Sequence, residues 1–311
     1  MVCEITVGVC VKNAQDTIGE TIASIALQDF DHDLIEMIVV DGNSSDATLS
    51  IIRRMISSKN IAFRIFSDEG KGLGHARQIV VDRARGKYIV FVDGDVKLLP
   101  NFFLSQFEFM NNNTRLGVGL GRYLYKSGSL ISSSWNMYQS MMDEFVGCAF
   151  VFRVDAVRMV HGFDENIKGA AEDVDLILRL NRRGWLTAVN QNAGFYHNYR
   201  ETFVDFWLEH RWFGYGYYYL THKHKNAFSA WGNTPQAKLL HGLRIASKTY
   251  RVTRCKMIFL IPVLLVIANM ASWSGYLSAA LHRYTYEART EKQLHLHSEK
   301  SIPSKRESSS L

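Results

Sequence analysis

The sequence predicts an α/β protein with an open, mostly parallel sheet flanked by helices, followed by one helix able to cross a membrane. Two observations carry the first part. Through the first 200 residues, apolar runs of strand length alternate with helical patterns. Those runs are apolar throughout instead of at every second residue, as in parallel strands covered on both faces. The third observation is a stretch of 25 residues without a charge, residues 257–281.

Composition bounds the partners. A chain of 311 residues that is 47% hydrophobic and 12% aromatic can bury a sizeable core. Its net charge of +6 suits anionic partners such as phospholipid head groups or nucleotide phosphates. The basic residues gather beside the charge-free stretch and not along a recognisable nucleic-acid motif, so no nucleic-acid partner is expected. Cys3, Cys10, Cys148 and Cys255 show no C-x-x-C pairing and read as reduced thiols. The N-terminus enters a strand pattern directly, with no signal-peptide pattern ahead of it.

Each element follows from local pattern. Residues 4–11, "EITVGVCV", form the first strand, ended by Asn13. Thr17 and Glu20 stand at capping-box spacing ahead of Ile18, Ile22 and Ile25, which share one helical face. "EMIVVDG" (36–42) is the second strand, and Leu49, Ile52 and Met55 mark the second helix. "IAFRIF" (61–66) leads into a third helix around "GHARQIVVDRARG", and "KYIVFVDGD" (87–95) is the fourth strand.

In open sheets of this kind, ligands bind beyond the carboxyl ends of the strands. Asp41 closes the second strand and Asp93 the fourth, so both carboxylates are expected to line one crevice. The chain has four Asp-x-Asp pairs, and only Asp93/Asp95, which flank Gly94, follow an apolar strand to that edge. Two carboxylates in a turn, joined by phosphate oxygens, make the hard, oxygen-rich setting that Mg²⁺ or Mn²⁺ prefers.

"VKNAQDTIGETIASIALQDF", "VVDGNSSDAT", "GHARQIVVDRARGKYIVFVDGDV" and "AEDVDLILRLNRRGW" together resemble the successive signatures of family 2 glycosyltransferases, over about residues 4–220. The resemblance implies the GT-A fold, a Rossmann-like α/β arrangement, and an inverting transfer from a UDP- or GDP-linked sugar. It implies that Asp41 contacts the nucleotide base and that Val11 to Asn13 line the same pocket. It places Arg77, Asp93 and Gly94 at the donor, with Asp95 as the metal-binding carboxylate and Asp93 beside it. His197 matches a histidine that some relatives place near the diphosphate or metal; its other reading is a hydrogen-bonded histidine at a strand end. Glu172 and Asp173 match the family's Glu-Asp pair, with Asp173 the base. "LEHRW" (208–212) resembles the Q-x-x-R-W box of processive synthases, which puts Arg211 and Trp212 at the acceptor; Leu208 in its first position argues for transfer of a single sugar.

The chemistry at "AAEDVDL" also follows from the residues. An inverting transfer needs a base for the acceptor hydroxyl and a cation on the departing diphosphate, and no covalent nucleophile. The two acids fall in the first turn of a helix whose apolar face is Leu176, Ile177 and Leu180, and whose stop is Gly184. The helix dipole favours a carboxylate there.

The stretch "FVDFWLEHRWFGYGYYYL" (203–220) is rich in aromatics. It reads as core packing, as a platform for sugar rings, or as a segment at a membrane interface. Lys238 to Lys256 form a basic flank to the charge-free stretch, which is long enough at about 1.5 Å per residue to cross a hydrocarbon core of about 30 Å. The expected organisation is a catalytic domain over 1–230, a basic juxtamembrane linker over 231–256, a transmembrane helix over 257–281 and a disordered polar tail over 282–311. A single-pass protein of the cell membrane is implied, its catalytic domain cytoplasmic and its acceptor lipid-linked, with a polyprenyl- or dolichyl-linked saccharide favoured.

Overall fold

The computed structural model describes residues 3–56, 61–141, 148–225 and 234–300. The parallel half of the sheet is the one the sequence predicts. Its strands are β1 (Ile5–Val11), β2 (Ile35–Asp41), β3 (Ala62–Ser67) and β4 (Tyr88–Val92). The helices between them are α1 (Ile18–Ala26), α2 (Thr48–Ile56) and α3 (Leu73–Arg83).

The second half is mixed. It contains β5 (Val96–Leu98), α4 (Phe102–Asn112), β6 (Leu116–Tyr123), α5 (Leu130–Ser140), β7 (Ala149–Arg153), α6 (Val154–Met159), α7 (Glu172–Arg182) and β8 (Leu186–His197). One eight-stranded sheet runs in the order β3-β2-β1-β4-β7-β6-β8-β5. β7 is antiparallel to both β4 and β6, and β5 is antiparallel to β8.

Alternation along the strands feeds two cores. On β4, Tyr88, Val90 and Val92 join α1, α2 and α4 on one face, while Ile89 and Phe91 join α3, α6 and α7 on the other. The anticipated capping box does not form. The Thr17 hydroxyl donates instead to the Gly94 carbonyl at 2.8 Å, and Glu20 accepts from Lys97 at 2.9 Å. The start of α1 is thus tied to the turn after β4.

Three long helices complete the chain: α8 (Phe203–Lys223), α9 (Pro235–Thr253) and α10 (Ile261–Lys300), the last entered through a 3₁₀ turn at Lys256–Leu260. Two expectations change here. The segment read as a linker is mostly the helix α9, and residues 282–300 continue α10 instead of forming a disordered tail; residues 301–311 lie outside the described residues. Lys256–Arg283 is, among the described residues, the one helical stretch long and apolar enough to cross a membrane.

α10 packs along α8 at backbone distance. A Cβ on Gly275 would stand 1.8 Å from the Arg211 carbonyl oxygen, and one on Gly214 would stand 1.8 Å from that of Ser272. Gly275→Ala is therefore expected to cost about 1–3 kcal/mol by overpacking, seen as a lower Tm of the detergent-purified chain. Leu277→Ala, on the exposed side of α10, should stay within about 0.5 kcal/mol of the parent.

Candidate active site

A cavity of about 570 Å³ opens where the strands of the parallel half end. Its centre is built on Arg77, which α3 carries under the sheet edge with its side chain only 2% exposed. Burying a guanidinium requires counter-charge, and three carboxylates supply it. Nη2 lies 3.1 Å from Asp93 Oδ1, and Nη1 is paired with Glu172 and lies 3.6 Å from Asp173 Oδ2. The rings of Phe150 and Phe91 stack against the guanidinium, 5.0 and 5.6 Å from its carbon.

One cation among three acids leaves a local excess of negative charge. Burial pushes Asp93 up to about 6 despite Arg77, and Asp95 adds to the rise. Glu172 and Asp173 are likewise held above the ordinary carboxylate range by burial, against the pull of Arg77. A raised carboxylate binds a proton more readily, the direction that suits proton abstraction. Asp173 sits in the first turn of α7, entered through Gly169 at φ +88° and Ala171 at φ +75°. Left-handed backbone at a non-glycine residue stores about 1–2 kcal/mol, and such strain gathers at working sites.

Asp95 has a different environment. The ladder between β5 and β8 pairs Val96 with His197, which brings His197 Nε2 to 3.1 Å from Asp95 Oδ1. Arg200 Nη2 lies 3.7 Å from the other carboxylate oxygen. Burial raises Asp95, but His197 and Arg200 outweigh it and hold this acid below the usual carboxylate value. For His197, burial lowers basicity and Asp95 more than restores it.

The cavity gathers Val11, Asn13 and Arg77 with Asp93, Gly94 and Asp95, and faces them with Glu172, Asp173, His197 and Trp212. Two expected members are elsewhere. Asp41 is buried at the end of β2, where its carboxylate accepts from the Ser44 amide at 3.1 Å and closes its own turn; it does not line the cavity. Arg211 points from α8 to α10 and donates to Ser278 at 3.3 Å, because successive helical residues face different sides.

Among the described residues no three His, Cys, Asp or Glu side chains converge on a point. His197 lies against Asp95, its Nε2 3.1 Å from Oδ1. Asp93 and Asp95 remain as oxygen donors in a site with excess negative charge. That fits Mg²⁺ or Mn²⁺, which take their remaining ligands from diphosphate and water.

Sequence reasoning missed Arg200 and Glu209. Glu209 accepts from Arg200 Nε at 3.2 Å, its other oxygen is buried without a hydrogen-bond partner, and burial raises its pKa. Both residues also line an adjoining cavity of about 740 Å³, which reaches Lys126, Asn198 and Asp205 and shares Trp212 with the first. A signal was available: Glu209, Trp212, Phe213 and Tyr217 recur at i, i+3, i+4 and i+8, one face of α8.

A carboxylate turn at the carboxyl end of a parallel strand faces an acid pair at a helix start across one cavity, the arrangement that the sequence's resemblance to GT-A glycosyltransferases implies. The model of glycosyl transferase family 2 matches residues 6–159, and that of glycosyl transferase family group 2 matches residues 88–284. The chain belongs to the family 2 glycosyltransferases.

The putative teichuronic acid biosynthesis glycosyltransferase TuaG of Bacillus subtilis is 34% identical over 98 residues, 32% of this chain and 38% of that protein. The UDP-Glc:alpha-D-GlcNAc-diphosphoundecaprenol beta-1,3-glucosyltransferase WfaP of Escherichia coli is 30% identical over 106 residues, 34% and 41% of the two chains. The chain thus spans less than half the length of these curated relatives. Among solved structures, the mannosyltransferase PcManGT from Pyrobaculum calidifontis, in complex with GDP-Man and Mn²⁺, superposes with a TM-score of 0.67 at 16% identity, over 88% of this chain and 87% of that one. The GT-A fold is common to both.

Arg77→Met would leave the buried Glu172 and Asp173 and the half-buried Asp93 without their cation, at an expected cost of about 3–5 kcal/mol in urea unfolding. Adding Glu172→Gln to that variant should recover part of the loss, because one charge goes with it. Strict additivity of the two changes would show that Arg77 is not their common counter-ion.

Proposed function

We propose that this glycosyltransferase is an inverting enzyme that moves a single sugar from a UDP- or GDP-linked donor to a polyprenyl- or dolichyl-linked saccharide at a membrane. Its catalytic domain would face the cytoplasm, in a pathway of polysaccharide or glycoconjugate synthesis. The observation that carries the reading is that Asp173 shares one cavity with Asp93 and Asp95, so a base and a diphosphate site stand on either side of a single space. The basic flank at α9 and the one long apolar helix support a membrane location. PcManGT, with GDP-Man, and WfaP, named for a diphosphoundecaprenol acceptor, support this choice of donor and acceptor.

In the reaction the acceptor oxygen forms a bond to the anomeric carbon, the bond from that carbon to the diphosphate oxygen breaks on the opposite face, and Asp173 takes the acceptor proton. Asp93 and Asp95 would hold a divalent cation, which would stabilise the charge on the departing diphosphate. Arg77 and Glu172 fix where Asp173 stands, and Glu172 is a positioning residue, since the guanidinium occupies it. His197 and Arg200 keep Asp95 ionised.

Two measurements separate the roles. UDP or GDP with Mn²⁺ is expected to raise the Tm of the detergent-purified chain, and Asp95→Ala to remove the effect. Asp173→Asn should keep that donor binding while lowering transfer of radiolabelled sugar into membrane lipid by about 10²–10⁴-fold. Retained transfer in Asp173→Asn would point to a lipid-phosphate acceptor, which scarcely needs a base. Absence of any nucleotide effect would point to a subunit that recruits partners without catalysis.

A further inference from the structure

We infer that α9 and α10, carried on α8, form a docking face that sits on one leaflet bearing anionic head groups, with α10 held along the catalytic domain instead of crossing the bilayer. The inference rests on the reading that the enzyme works at a membrane, and it adds how the enzyme is held there.

α10 is part of the catalytic body. Besides its two close crossings with α8, it meets α9 so tightly that a Cβ on Gly242 would stand 2.5 Å from Pro262 Cα. Ile258, Ile261, Leu264, Leu265 and Ala268 belong to the same buried cluster as the inner residues of β1 and β4. The partner helix α8 carries Glu209, Trp212, Phe213 and Tyr217 into the cavity. A bilayer spanned by α10 would have to accommodate α8 beside it, together with the charged groups of the site, and charges in hydrocarbon are strongly disfavoured.

The uncovered side of α10 is a stripe and not a full surface. Val263, Met270, Trp273, Leu277 and Leu281 are 43–64% exposed, and they recur at steps of three, four and seven, which follow one side of a helix. An apolar stripe on an otherwise packed helix is the pattern of a segment lying in an interface.

α9 adds charge beside apolar contact. At about 100° per residue, Gly242, Ala246 and Thr249 share the buried side, Leu239, Leu240 and Leu243 an exposed side, and Arg244, Lys248 and Arg251 the sector next to the leucines. Residues 210–286 hold ten Lys and Arg and no Asp or Glu, so this part of the chain carries +10 where the whole carries +6. That concentration selects a negatively charged leaflet. A neutral partner protein would match the apolar stripe but not the charge.

The test uses the purified full chain in vesicle flotation, with phosphatidylcholine vesicles or the same lipid mixed with phosphatidylglycerol. Flotation is expected with the anionic vesicles, weaker in high salt, and reduced at least about tenfold by Leu243→Glu/Leu277→Glu, which removes exposed apolar contact. Those variants should keep Mn²⁺-dependent nucleotide stabilisation, so failure of docking and failure of the catalytic reading give different results. In a bacterial host, a C-terminal fluorescent-protein fusion should glow and a C-terminal alkaline phosphatase fusion stay inactive. Active phosphatase would overturn the inference, because α10 would then cross. So would a vesicle-indifferent protein whose dimer is dispersed by Leu277→Glu, since a second copy would cover the face.

Discussion

Everything in the site refers back to one buried guanidinium. Arg77 comes from α3, Asp93 from the end of β4, and Glu172 and Asp173 from the start of α7, so acids from two elements far apart in sequence share one counter-ion. Burying that charge is tolerable only because the acids surround it, and burying the acids is tolerable only because Arg77 is there. The balance is nevertheless short of positive charge. Asp93, Glu172 and Asp173 are all held above the ordinary carboxylate range by burial, and a cation with a diphosphate brings a charged pair to which such a site can respond.

The position of Asp173 is also set from behind. Residues 169–171, which lead into α7, press on α8: a Cβ on Gly216 would stand 1.9 Å from the Ala170 carbonyl oxygen. On its other side α8 is in backbone contact with α10. A continuous packed series therefore runs from the apolar helix through α8 to the first turn of α7. Interiors packed at this density transmit displacement, so α10 serves the catalytic geometry as well as any membrane.

Much of this was legible in local pattern, and the failures have physical causes. β1, β2 and β4 were readable because parallel strands buried on both faces are continuous apolar runs, and the half-exposed edge strand β3 from its shorter run. β5 has only three residues and β7 enters antiparallel from a remote segment; pairing partners of that kind leave no local trace. Asp93, Asp95, Glu172 and Asp173 announced themselves by standing at a strand end and a helix start. Asp41 stands at a strand end too, yet its side chain is drawn into its own turn by the Ser44 amide, a choice that pattern does not encode. Thr17 had a cap's spacing, but the Gly94 carbonyl competed successfully for its hydroxyl. Arg211 and Glu209 exchange the roles suggested by their neighbour Trp212, because the face on which a helix packs was not known until α10 was placed.

Glu209 also bears on how the two cavities are related. They adjoin, and His197, Tyr199, Arg200, Glu209 and Trp212 border both. Arg200 spans this border, with one nitrogen near Asp95 and another on Glu209. A ligand in the second cavity that competes for Glu209 therefore alters the environment of Asp95, and a cation at Asp95 alters how firmly Arg200 holds Glu209. The two cavities are electrostatically linked through a single side chain. The other Glu209 oxygen is buried without a hydrogen-bond partner, on the same helix that α10 holds in place.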